Sequence, residues 1–144
     1  MDTMLVDSDD DGSGDEWADS PQHLVFVIED DEATRDSVVV LLTSIGYVAV
    51  PYPSFEAFLG AAPDFSEACL VLDNEINGMT GLQLLDLLAD RGDSPPAVLY
   101  SGRLTASLRE RAKRHANVVE VLEKPFVGGQ LAEALVKAFG HRQG

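Results

Sequence analysis

Basic residues are scarce in this chain of 144: ten Lys and Arg stand against 25 Asp and Glu, a formal net charge of −15 at pH 7. A nucleic-acid footprint needs a positive surface that neutralises phosphates, and so acidic a molecule repels the duplex, so no nucleic-acid partner is expected. Cysteine is almost absent. Cys69 alone cannot form an internal disulfide, and its place inside an apolar run marks a small buried side chain rather than a reactive thiol. Long apolar stretches are missing too. None approaches the roughly 20 residues that span a bilayer, and the N-terminus has no basic segment leading into an apolar one. No membrane association is expected, and the location expected is cytoplasmic.

The acidity is unevenly spread. Residues 1–22 hold eight acids (Asp2, Asp7, Asp9, Asp10, Asp11, Asp15, Glu16 and Asp19) and no Lys or Arg, the composition of a disordered tail, and the single Trp17 lies within it. Residues 23–144 keep 17 acids and ten bases, a net of −7, with enough apolar content for one globular domain. Five of the bases fall between Arg103 and Arg114 and read as one solvent-facing helix surface.

Within the domain, short apolar runs alternate with helical patterns. Leu24 to Ile28 is too short for a helix and rich in β-branched residues, as suits a buried parallel strand, and it stops at Glu29-Asp30-Asp31-Glu32. Asp30 or Asp31 can cap the next helix, whose apolar positions Val38, Leu41, Leu42 and Ile45 recur at helical spacing before Gly46. A weaker strand, Tyr47 to Val50, precedes Pro51, Pro53 and a Ser54-capped helix bearing Phe55, Phe58 and Leu59. The third strand, Ala68 to Leu72, ends at Asp73. A loop from Asn74 to Met79 leads to Thr80-Gly81-Leu82-Gln83, which has the form of a capping box. Ala97 to Tyr100 and Val118 to Leu122 are the last strands, ending in Ser101-Gly102 and Glu123-Lys124-Pro125-Phe126. Helices follow over Thr105 to His115 and through Leu131, Ala134, Leu135, Ala138 and Phe139.

Five strand-helix units imply a doubly wound α/β domain: a five-stranded parallel sheet in the flavodoxin-like order 2-1-3-4-5, with five helices on its two faces. Ligands bind such sheets at the carboxyl ends of the strands, and Glu29-Asp30, Asp73, Ser101 and Lys124 all sit there. Three converging carboxylates repel one another unless a hard cation lies among them, and Mg²⁺ prefers a few carboxylate oxygens with water and phosphate. Asp73, ionised at neutral pH, can then attack phosphorus. Lys124 as a point charge and Ser101 as a hydroxyl donor complete a cradle for the phosphoryl oxygens.

These motifs, in this order from about Leu24 to Gly140, resemble those of the receiver domains of two-component response regulators. The resemblance implies that Asp73 takes a phosphoryl group from a phosphohistidine on a histidine kinase or phosphotransfer protein, the domain catalysing only its own phosphorylation and dephosphorylation. It also implies that Asp30, Asp73 and the backbone carbonyl of Glu75 bind Mg²⁺ directly, Glu29 through a water, that Ser101 and Lys124 hold phosphate oxygens, and that the Lys124-Pro125 bond is cis. Four positions depart from the family pattern. Asn77 stands where proline is usual, Glu29 is the longer acid, and the Glu75 side chain can meet the metal or an attacking water and so alter the phosphoryl lifetime. Val121 replaces the customary Tyr or Phe, so the usual aromatic readout is absent unless Tyr100 substitutes.

With no effector module recognisable after the last helix, the expectation is a stand-alone response regulator whose output is contact with a downstream protein, homodimerisation being open. The alternatives are a phosphorylation-independent adaptor and a phosphohydrolase of the haloacid dehalogenase type. The latter fits poorly because its nucleophile belongs at the first strand. His23, His115 and His141 join no cluster and read as surface residues.

Overall fold

The computed structural model describes residues 23–61, 64–65, 67–76 and 78–143. The tail, Trp17 and Asn77 therefore lie outside the described residues. The order of elements is β1 (Leu24–Ile28), α1 (Glu32–Ser44), β2 (Val48–Tyr52), α2 (Phe55–Ala61), β3 (Ala68–Asp73), β4 (Glu75–Ile76), β5 (Met79–Thr80), α3 (Gly81–Asp90), β6 (Ala97–Ser101), α4 (Ala106–Lys113), β7 (Val118–Glu123) and α5 (Gly128–Gln143). Five strands form one parallel sheet, ordered β2-β1-β3-β6-β7, which is the doubly wound 2-1-3-4-5 arrangement with β1 and β3 side by side at the switch point.

The period of two along each strand divides the interior. Phe26, Ile28, Leu70, Leu72 and Leu99 face one side, where Phe55 and Phe58 of α2, Leu82, Leu85 and Leu88 of α3 and Leu108 of α4 cover them. Val25, Val27, Cys69, Val71, Val98 and Tyr100 face the other, under Val38 and Leu42 of α1 and Leu131, Leu135 and Phe139 of α5. Both faces are thus buried, which is why the strands read as unbroken apolar runs. Cys69 is buried among them, as its position suggested.

Local signals hold at the helix starts. Asp31 accepts the Thr34 N–H and caps α1. Thr80 and Gln83 form the reciprocal capping box of α3. Ser54 accepts the Ala57 N–H. Gly46, just past α1, has φ 99°, a left-handed value that suits glycine. Arg109, Arg111, Lys113 and Arg114 are exposed on or beside α4, the basic surface expected there.

Two elements differ from expectation. β2 runs on through Pro51 to Tyr52 instead of stopping at Val50, because β2 is an edge strand and proline's missing N–H costs no ladder bond there. The stretch after Asp73, expected as a loop, contains a small antiparallel ribbon pairing Glu75 with Thr80 and Ile76 with Met79. Ribbon segments of two residues fall below what hydrophobic alternation can register. The Lys124-Pro125 bond is cis. Among the described residues no helix is long and apolar enough to cross a membrane.

Candidate functional site: an acid cluster at the carboxyl edge

β1 ends in Glu29-Asp30 and β3 ends in Asp73, and because these strands are neighbours in register, Ile28 beside Leu72, their three acids meet. One carboxylate oxygen from each of Glu29, Asp30 and Asp73 lies within 4.8 Å of the others. Glu29 and Asp73 are buried, whereas Asp30 is exposed and opens the cluster to solvent. β6 and β7 bring Ser101 and Lys124 to the same edge, where the Lys124 N–H donates to the Ser101 carbonyl at 2.9 Å. Glu29, Asp30, Asp73 and Lys124 therefore meet through their side chains, and Ser101 ends the strand beside them.

The Asp73 carboxylate is held at both oxygens. The Glu75 N–H donates to Oδ1 at 2.8 Å and Lys124 Nζ to Oδ2 at 2.8 Å. Lys124 Nζ also lies 3.6 Å from Glu29 Oε1. Burial works against the charge on Lys124, but its bond to Asp73 and the charges of Asp73 and Glu29 outweigh burial and raise its pKa above the usual value. Burial pushes the Glu29 carboxyl up, and the charge of Asp73 adds to this, while hydrogen bonds from the Asp31 N–H and the Tyr100 hydroxyl pull it down by less. The cluster thus carries the strain of like charges in a confined space, relieved in part by one ammonium group.

The loop after Asp73 is pinned to the start of α3. The Asn74 N–H donates to the Tyr100 carbonyl at 2.8 Å, the Asn74 carbonyl accepts the Gly81 N–H at 3.0 Å, and Asn74 Oδ1 accepts the Leu82 N–H at 3.3 Å. Gly81 leaves room for this approach. A Cβ there would stand 3.2 Å from Asn74 Cα and 3.3 Å from the Asp73 carbonyl oxygen.

Two side chains behave differently from expectation. The Glu75 carboxylate is not among the clustered acids: its Oε2 accepts the Ser101 hydroxyl at 2.5 Å. Tyr100 does not stand in for the missing aromatic at position 121. Its ring is fully buried on the α1/α5 side, and its hydroxyl donates to Glu29 Oε1 at 2.7 Å. Val121 packs against the opposite core, on the α4 side. Sequence reasoning also missed Asn74 and Arg35, whose Nη1 donates to the Glu29 carbonyl at 3.0 Å. A buried polar residue directly after the candidate nucleophile was the available signal for Asn74, but its partner eight residues on is set by the turn into α3 and leaves no trace in the pattern. Of the histidines, His115 is half-buried and paired, Nε2 lying 2.8 Å from Asp86 Oδ1, and the exposed His23 stacks on Phe139 with centroids 4.2 Å apart.

Comparison with known proteins agrees with this geometry. The family model for the response regulator receiver domain matches residues 25–136. The chain is 32% identical to the transcriptional regulatory protein FixJ of Rhizobium meliloti (strain 1021), over 83% of this chain and 58% of that protein. It is 33% identical to the FixJ of Azorhizobium caulinodans, over 81% of this chain and 54% of that protein. The crystal structure of FixJ-N superposes with a TM-score of 0.76 at 30% identity, covering 85% of this chain and 97% of that one. The chain thus spans little more than half the length of the two FixJ proteins, and they are transcriptional regulatory proteins.

That finding overturns two expectations: a stand-alone regulator whose output is protein contact, and the exclusion of nucleic acid from its partners. Both rested on the acidic charge and on the lack of a recognisable effector within 144 residues. The charge describes the domain only and says nothing of what acts with it. The order of motifs that told against a dehalogenase-type phosphohydrolase agrees with the family match. That match covers most of the chain, and the protein belongs to the response regulator receiver domain family of two-component signalling.

Proposed function

We propose that Asp73 is the phosphoacceptor, taking its phosphoryl group from a phosphohistidine on a histidine kinase or phosphotransfer protein, and that the resulting state controls transcription. The observation that carries this reading is the convergence of Glu29, Asp30 and Asp73 within 4.8 Å, with Lys124 bonded to Asp73. Only oxygen donors of hard, anionic character meet there, and Asp30 faces solvent, so the donor set fits Mg²⁺. Asp30, Asp73 and the Glu75 carbonyl would hold the ion, with Glu29 acting through water. When bound, the ion supplies charge neutralisation for the phosphoryl oxygens.

The chain's own residues account for the rest. An Asp73 carboxylate oxygen attacks phosphorus, the P–N bond of the phosphohistidine breaks, and its electron pair leaves on the imidazole nitrogen, so no oxidant and no further reactant is required. Lys124 moves its ammonium from the carboxylate to the incoming phosphoryl oxygens. Ser101 donates its hydroxyl once Glu75 releases it. The relatives' role in transcription supports a transcriptional output, and the nucleic-acid contact this requires is made by a positively charged element joined to, or bound by, this acidic domain.

Intact-protein mass after incubation with Mg²⁺ and acetyl phosphate tests the reading. Wild type is expected to gain a single phosphoryl group, dependent on Mg²⁺, and Asp73→Asn none. An adduct that persists in Asp73→Asn, or none in wild type with either acetyl phosphate or a phosphorylated histidine kinase, refutes it.

A further inference from the structure

Nothing in the phosphoryl-transfer scheme uses Tyr100, yet its hydroxyl reaches into the acid cluster. β6 carries it next to Ser101, and the ring lies fully buried on the α1/α5 face of the sheet. From there the phenol crosses beneath β3 to β1 and donates to Glu29 Oε1 at 2.7 Å, joining residues 71 apart in the chain. The Asp31 N–H holds the other oxygen, Oε2, at 3.0 Å. Each oxygen of this buried carboxylate therefore has one neutral donor, and Oε1 also has Lys124 Nζ at 3.6 Å. Lys124 Nζ stands 5.2 Å from the Tyr100 ring centroid, and the Phe126 ring packs at 5.3 Å, so the phenol itself is braced.

The arrangement matters because Glu29 is a glutamate. It has one more rotatable bond than an aspartate, and its carboxylate can be displaced by a methylene's length unless something fixes it. A second lysine could do so, but it would put another positive charge where a cation has to bind. A tyrosine supplies a donor and no charge.

We infer that Tyr100 is a positioning residue for the divalent cation: its hydroxyl fixes the Glu29 carboxylate in the orientation that meets the ion's water, so that Mg²⁺ affinity depends on a side chain that never touches the ion. The inference rests on the metal site proposed above. Outer partners of direct metal ligands change affinity by about 10–100-fold when removed. Tyr100 acts one step further out, through a carboxylate that reaches the ion by way of water, and the Asp31 N–H and Lys124 stay beside that carboxylate, so the lower end applies.

The experiment is calorimetric titration of Mg²⁺ into wild type, Tyr100→Phe, Glu29→Gln and the double variant, each first shown to unfold cooperatively in Mg²⁺-free urea. Phe keeps the ring and its packing and removes only the hydroxyl. Tyr100→Phe is expected to weaken Mg²⁺ binding about 10-fold, and to have no further effect once Glu29 is Gln. Unchanged affinity in Tyr100→Phe overturns the inference and leaves the metal site standing, the hydroxyl then serving only to satisfy a buried acid. A loss of equal size in the Glu29→Gln background overturns it as well, since the effect would not pass through Glu29. Absence of Mg²⁺ binding by wild type would overturn the inference and the metal site together.

Discussion

Lys124→Met removes the ammonium that touches both Asp73 and Glu29 while keeping a side chain of similar length. In its absence the carboxylate of Asp73, a residue 3% exposed, retains only the Glu75 N–H at Oδ1, with the carboxylates of Glu29 and Asp30 close by. Unit charges at the observed 2.8 and 3.6 Å attract by about 6 and 5 kcal/mol at an effective dielectric of about 20. Desolvation cancels most of that. The lysine is 30% exposed, so solvent screens it further and a net loss of about 1–3 kcal/mol remains. With a urea m-value of about 2 kcal/mol per M, the unfolding midpoint in Mg²⁺-free buffer should fall by about 1 M. Added Mg²⁺ should stabilise the variant more than wild type, because the cation takes over the neutralisation. The pH dependence follows from the raised pKa of Lys124. A raised folded value contributes stability in full below the ordinary 10.5 and loses it only as pH climbs through the higher folded value, so the gap should be undiminished through the neutral and mildly alkaline range. Urea unfolding of both proteins, with and without Mg²⁺, decides the matter. A variant as stable as wild type without Mg²⁺ would refute the reasoning, for the acids would then not be repelling one another.

Gly81→Ala should destabilise by about 1 kcal/mol, because crowding of backbone atoms at 3.2 and 3.3 Å, a strain of about 1–3 kcal/mol, outweighs alanine's helix preference of about 1 kcal/mol at most. A gain in urea stability would show that the Asp73-Asn74 loop yields freely. Glu75→Ala frees the Ser101 hydroxyl and withdraws a carboxylate from beside the phosphoryl position, so the half-life of the phosphorylated protein should lengthen severalfold. An unchanged or shorter half-life, followed by mass spectrometry after removal of the donor, counts against the Glu75–Ser101 bond as a control on that lifetime.

The frame of the fold was legible because parallel strands buried on both faces leave unbroken apolar runs, and because Asp31, Ser54, Thr80 and Thr105 mark helix starts by short-range chemistry. The site was legible for a related reason: a residue at a strand's carboxyl end is placed by the strand, so Glu29, Asp30, Asp73, Ser101 and Lys124 could be gathered from topology alone. What escaped was pairing within the gathering. Glu75 has two plausible neighbours, the acids and Ser101, and only the turn of the β4-β5 ribbon selects Ser101. Tyr100 reads as one more apolar residue of its strand, and its reach to Glu29 depends on which face of the sheet it occupies and on the width of β3 between them. The extension of β2 through Pro51 was hidden because edge position is a property of the whole sheet.

The division of the interior by the sheet has a consequence for how news of the site spreads. The sheet is a wall with separate rooms on either side, and a disturbance of a side chain is felt first in the room it furnishes. Val121, where an aromatic hinge would be expected, furnishes the α4 room and touches none of the clustered acids in the bonds described. Tyr100, which is wired to Glu29, furnishes the α1/α5 room beside Phe126. A rearrangement of the acids therefore has a hydrogen-bonded lever, Tyr100, into the α1/α5 half of the molecule, whereas on the other side position 121 offers only a valine.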